Sequence, residues 1–182
     1  MRILVLASLL WWSLGSYAVE SDEIVEVGFL ELRQWNGSLR LLEPDFRFGH
    51  VAVKVNNKWL HAHPVRGVEW VERHELEKLG RIALTVSVAL PTRLTWSELS
   101  SWIGRPYDTD FTWEDDRMYC SELVAKVLGI PAEPMHFDPA LWPANYLALE
   151  GRPGISPGGV FRALANPARL CAEEIFARTT GQ

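Results

Sequence analysis

A chain of 182 residues, 48% of them apolar, is long enough for one domain with a proper core and too short for two full-sized ones. Its formal charge of −5, with no basic run, argues against a surface that grips a phosphate backbone, so nucleic acid is not an expected partner.

Residues 1–18 read as a signal peptide: Arg2 is the positive start, residues 3–14 form an apolar run, and Ser16-Tyr17-Ala18 places small residues at a cleavage site. The run is too short to span a bilayer, and no cysteine near the cleavage point suggests a lipid anchor. The expected mature chain is therefore residues 19–182, an exported domain, periplasmic or secreted, without stable membrane insertion. Losing Arg2 leaves 17 basic against 23 acidic residues, a charge of −6.

Short alternating runs at residues 29–33 and 38–41 flank Asn36-Gly37, whose tolerance of positive φ makes it a strong hairpin turn. A second hairpin is predicted from residues 50–55 and 58–62 around Asn56-Asn57. Residues 68–71 and 82–90 add strand-like runs, the latter rich in β-branched side chains. After Pro91 the character changes. Thr95-Trp96-Ser97-Glu98 is a capping-box pattern for a short helix that Gly104-Arg105-Pro106 closes, and residues 118–128 predict a further helix with Leu123, Val124, Val127 and Leu128 on one stripe. Residues 131–143 read as proline-rich loop and residues 142–150 as one or two helical turns. Strands first and helices after predict a single α+β domain.

Cys120 stands at the start of the 118–128 helix, where unpaired N–H groups and the partial positive charge of the helix end favour a thiolate. In an exported chain with two cysteines, a disulfide between Cys120 and Cys171 is the competing reading. The histidines favour chemistry. A turn at Asn56-Asn57 pairs residues whose numbers sum to about 113, so His50 pairs near His63 and lies diagonal to His61; those two share a face, and His50 can meet one or both of them there. A thiol hydrolase needs one imidazole to take the thiol proton and a second polar group to hold that imidazole in the right tautomer. A zinc site from His50, His61, His63 and His74 lacks any of the usual ligand spacings, so no metal and no cofactor is expected. The nine tryptophans are scattered, and Trp96, Trp102 and Trp142 fall where helices pack, which favours core over a carbohydrate-binding face. Cys171, within Arg169-Leu170-Cys171-Ala172, reads as a buried helical cysteine.

Two blocks carry a family resemblance. Gly49-His50-Val51-Ala52-Val53, with Asn56 to Ala62 and Gly67-Val68 behind it, resembles the histidine hairpin of the NlpC-type papain-like peptidases. Gly104-Arg105-Pro106-Tyr107 and Tyr119-Cys120-Ser121-Glu122-Leu123-Val124 resemble the tyrosine and cysteine segments of that superfamily. His50 precedes Cys120, the order of the circularly permuted branch that includes YiiX-like amidases and the lecithin retinol acyltransferases. The resemblance implies a permuted papain-like fold, with an antiparallel sheet carrying the histidines against a helix that starts at the cysteine. It further implies Cys120 as nucleophile, His50 as base and His61 as the group that orients the base, with His63 as the alternative third residue. Tyr107 and Tyr119 would serve the substrate or the oxyanion, and the N–H of Cys120 would donate to that oxyanion. The expected activity is hydrolysis of an amide or ester in a cell-wall peptide or an acylated, lipid-like substrate. The alternatives are a thiol acyltransferase acting on lipids, or a binding module of the same fold that has lost its chemistry.

Overall fold

The computed structural model describes residues 24–90 and 96–166. Five strands form one antiparallel sheet: β1 (Ile24–Glu31), β2 (His50–Val55), β3 (Lys58–His63), β4 (Gly67–Val71) and β5 (Arg81–Ala89), in the order β4-β3-β2-β1-β5. A one-turn helix α1 (Arg73–Leu76) joins β4 to β5. The second half carries α2 (Trp96–Trp102), α3 (Cys120–Val127) and α4 (Pro157–Ala165), a short strand pair β6 (Glu133–Pro134) with β7 (Pro153–Gly154), and a 3₁₀ turn over Ala144–Leu149. The α+β architecture with strands before helices is as the sequence predicts.

The β2–β3 register is the one the asparagine turn dictates: Val53 faces Leu60, Lys54 faces Trp59 and Val55 faces Lys58. Asn56 and Asn57 both adopt positive φ, 48° and 65°, which their short side chains tolerate. Alternation then sends Val51, Val53, Val55 and Leu60 into the main core and leaves His50, His61 and His63 on the opposite set of positions. Helix α3 packs its Leu123, Val124 and Val127 onto this core, over β2 and β3 and beside α4. Each such side chain stabilises the fold by about 1.5–3 kcal/mol relative to exposure, so the helix that carries Cys120 is firmly seated.

The 29–42 hairpin is shorter than its pattern suggests. Residues 29–31 belong to β1, which pairs with β2 and β5, and beyond them only the bridge Arg33 to Leu39 closes the turn at Gly37. The sheet on both sides of β1 takes the hydrogen bonds that a long local hairpin would have used. Helix α4 is absent from the sequence reading, although Ser156 caps it by accepting the Gly159 N–H at 2.9 Å and Pro157 occupies its first turn. The loop at 131–143 contains β6, and the helical turns expected at 142–150 are the 3₁₀ segment. Trp102 is buried and Trp142 partly so, its ring N–H donating to the Leu42 carbonyl at 2.7 Å. Thr95, Cys171 and the whole of residues 1–18 lie outside the described residues.

One glycine matters for the site. Gly67 opens β4 with φ +79°, and a Cβ there would lie 2.0 Å from the Arg105 carbonyl oxygen. That close approach lets Val68 N–H donate to Arg105 and Gly104 N–H donate to Val68, which fixes the segment leading to Tyr107 against β4.

Candidate active site

Helix α3 opens at Cys120, with Tyr119 in extended backbone as its cap residue. The buried Glu122 carboxylate turns back to accept the Tyr119 N–H at 3.2 Å and is held by Lys126, one turn on, at 2.8 Å. Burial pushes the Glu122 carboxyl up to about 7 against the pull of Lys126. The two neighbours of Cys120 grip Ile155 from both sides: the Ser121 hydroxyl donates to its carbonyl at 2.8 Å, and the Tyr119 hydroxyl accepts its N–H at 3.0 Å. The Tyr119 hydroxyl also lies 3.8 Å from the Met135 sulfur. Tyr119 thus uses its hydroxyl to hold Ile155 in place, while the residue also lines the cavity in front of Cys120.

Cys120 carries a free thiol, 5% exposed. Burial raises its pKa to about 11, although the backbone N–H groups of Val51 and Ser121 reach the sulfur and pull the other way. The acidic thiol expected of a helix start does not arise in the resting site, because desolvation of the charged form outweighs the helix end. The Val51 contact also places the sulfur at the beginning of β2, against the backbone of the residue that follows His50.

His50 and His61 meet as the register requires. His50 Nε2 lies 3.1 Å from His61 Nδ1, with the rings at 81° to each other and both buried. Burial holds His50 well below the usual imidazole range, helped by the neighbouring His61 and His63. His61 falls to about 4, first through burial, with Glu69 opposing. Both rings are therefore neutral near pH 7. His63 is turned elsewhere: its Nδ1 accepts the N–H groups of Val65 and Arg66 at 3.0 and 3.1 Å and so caps the β3–β4 turn. Of the two candidates for third residue, only His61 touches His50.

Sequence reasoning missed Glu69. It sits opposite His61 in the β3–β4 register, with Oε1 3.2 Å from His61 Nε2 but out of line with the ring N–H. Arg66 clamps the Glu69 carboxylate through Nε at 2.9 Å and Nη2 at 2.6 Å and holds its pKa below the usual carboxylate value. The signal available in the sequence was the spacing itself, since Glu69 lies two positions after Gly67 in a strand antiparallel to β3.

His50, Tyr107 and Cys120 line one cavity of about 220 Å³. Tyr107 reaches it because Met118 N–H donates to Pro106 and Asp108 N–H donates to Met118, which ties its segment to the residue two before the cysteine. Asp108, fully buried, accepts the N–H groups of Asp110 and Thr112 and so shapes the loop that projects Phe111. Phe111, Phe137, Trp142 and Tyr146 cluster in its lining with centroids 5.1–6.3 Å apart, most pairs edge to face and Phe137 stacked on Tyr146. Burial, then the nearby Cys120, push the Tyr107 hydroxyl well above the usual phenol range, so it remains a hydrogen-bond donor.

The sequence model of the permuted papain-like amidases, the YaeF/YiiX or C92 family, matches residues 48–158, more than half of the chain and all of the elements just described from β2 to the start of α4. The chain belongs to this family. Within it, a 61-residue segment is 38% identical to the uncharacterized protein YiiX of Escherichia coli K12, covering 32% of this chain and 30% of that protein. The crystal structure described as metalloprotein YiiX from Escherichia coli O157:H7 superposes with a TM-score of 0.51 at 21% identity, covering 75% of this chain and 89% of that one. That likeness is one of fold. As for the metal in that description, no group of three or more His, Cys, Asp or Glu side chains among the described residues here is placed to hold an ion. In this member of the C92 family, Glu69 is clamped by Arg66 and the His50–His61 pair spends ring nitrogens on each other.

Proposed function

We propose that this permuted papain-like amidase is an exported cysteine hydrolase that cleaves an amide, or an ester, through Cys120, His50 and His61. The observation that carries the reading is the 3.1 Å contact between His50 Nε2 and His61 Nδ1 where β2 begins against the cysteine. Glu69 beside His61 Nε2 favours a proton on that nitrogen, which leaves His61 Nδ1 bare to accept the His50 Nε2–H. His50 Nδ1 then carries the lone pair and is the base.

Thiol and imidazole both start neutral, so the proton passes from sulfur to His50 as the C–S bond forms rather than beforehand. The carbonyl oxygen takes the negative charge, with the Cys120 N–H as donor and the Tyr107 hydroxyl as a second one. The imidazolium returns its proton to the leaving amine or alcohol, and the C–N or C–O bond breaks to give a thioester. Water, deprotonated by the same imidazole, hydrolyses the thioester, releases the acid and restores the thiol. If an acceptor other than water resolved the thioester, the same site would act as an acyltransferase.

Glu69→Gln should lower kcat roughly tenfold, by removing the negative charge beside His61 Nε2 that favours a proton on that nitrogen, with KM unchanged. A rise in KM with kcat unchanged would remove Glu69 from the relay. Substrate class is tested by incubating the protein with cell-wall muropeptides and, separately, with N-acyl and phospholipid substrates, followed by mass spectrometry. Product in one tube assigns the class, and product in neither favours a binding module. Export is tested by expressing a tagged chain in a bacterium: the processed protein should begin at or within about two residues of Val19, and retention of Met1 would refute the signal peptide.

A further inference from the structure

The cavity in front of Cys120 has an uneven charge inventory. Besides the thiol and the phenols, four ionisable residues line it: Arg40, Glu43, His50 and His136. Three are already engaged. Glu43 accepts the Gly158 N–H at 2.8 Å through one oxygen and meets Arg162 at 3.3 Å through the other. His136 Nδ1 lies 2.6 Å from Glu150, and His50 faces His61. Arg40 stands apart, since among the described residues no carboxylate forms an ion pair with it.

Its position is fixed by the backbone. Arg40 lies on the returning arm of the 33–39 hairpin, outside the segment matched by the family, and its N–H donates to the Leu32 carbonyl at 2.9 Å. A Cβ on Gly49 would lie 3.3 Å from the Arg40 carbonyl oxygen and 3.0 Å from the Leu32 side chain. The bare glycine just before His50 therefore lets this arm pack closely against the start of β2. The Tyr107 hydroxyl feels the positive charge of Arg40 and the nearby Cys120 together, which puts cation, phenol and nucleophile in one electrostatic neighbourhood.

We propose that Arg40 is an anion subsite, and that the substrate is an amide or ester carrying a free carboxylate within a few bonds of the scissile carbonyl. The proposal rests on the reading of Cys120 as nucleophile. One guanidinium balances one charge and matches a carboxylate in its planar fork. A cavity of about 220 Å³ is also smaller than the roughly 300–1,000 Å³ of sites for drug-sized ligands, which suits a compact substrate. An N-acyl amino acid and the C-terminal residue of a peptide both present this chemistry.

The test compares alkylation of Cys120 by anionic and neutral reagents of equal reach: iodoacetate against iodoacetamide, and N-iodoacetylglycine against its carboxamide. Rates are read by peptide mass spectrometry at fixed pH and ionic strength on the full chain. Arg40→Gln should lower the anionic-to-neutral rate ratio by roughly three- to tenfold, the effect of one unit charge several ångströms away in a partly hydrated cavity. Arg40→Lys should keep most of the ratio, Arg40→Glu should lower it further, and Arg73→Gln, outside the cavity, should leave it as in the wild type. Labelling with the same ratio in wild type, Arg40→Gln and Arg40→Glu would overturn the subsite and leave the nucleophile standing. No labelling of Cys120 by any of the four reagents would refute the nucleophile and the subsite with it. Measured as kcat/KM on carboxylate and carboxamide forms, an N-acyl amino acid and a C-terminal dipeptide separate the two sources.

Discussion

Cys120→Ala and His50→Ala each lose roughly four or more orders of magnitude in kcat on any substrate the wild type cleaves, because nucleophile and base act as one unit. The double variant should be little worse than either single one. Both side chains are small or polar and stand at element ends, at the first residue of α3 and of β2, so the core on Leu123, Val124 and Val53 remains to hold the fold. His61→Ala should cost less, roughly 10- to 100-fold, since it leaves the base in place but removes its partner and strands a buried N–H. His63→Ala should cost least, because the His63 Nδ1 is spent on the turn at Val65 and Arg66. Circular dichroism of each variant checks the fold while steady-state rates check the order. Full activity in Cys120→Ala or in His50→Ala would sink the assignment.

Much of this arrangement was legible in the chain because it depends on local rules. The asparagine pair fixes a turn, the turn fixes a register, and the register brings His50 and His61 together without any knowledge of the rest of the molecule. The start of α3 was equally local, since its stripe of Leu123, Val124 and Val127 has to face a core. What escaped depends on contacts between distant segments. Nothing near Tyr119 says that its hydroxyl will be taken by Ile155, 36 residues on, whereas Glu69 was within reach of a local reading, since the short β3–β4 turn sets it across from His61. The thiol is the clearest case. A helix end argues for an acidic cysteine, yet the burial that reverses the shift comes from the packing of β2 and the neighbouring segments around it, which no short motif records.

That reversal sets a second large effect. With its pKa raised to about 11 by burial, the Cys120 thiol of the native protein is almost wholly protonated at pH 7. Its alkylation rate by iodoacetamide should therefore climb about tenfold per pH unit from pH 7 to about 10, without the plateau that an acidic thiolate would give. In urea the same thiol returns to an ordinary pKa of about 8.5, and the profile should level off above it. The same shift acts on stability, with a sign fixed by which state holds the proton. The folded chain keeps the proton to higher pH than the unfolded one, so this contribution is fully present below the unfolded pKa and is lost as pH rises towards 11. The gap between about 8.5 and about 11 corresponds to roughly 3 kcal/mol, and Cys120→Ala should be spared that alkaline loss. Urea midpoints of wild type and variant, compared at pH 8 and pH 10.5, measure the difference. A rate plateau below pH 8 would mean that a thiolate is present in the resting site after all, and a peptide linking Cys120 to Cys171 would mean that there is no free thiol to titrate.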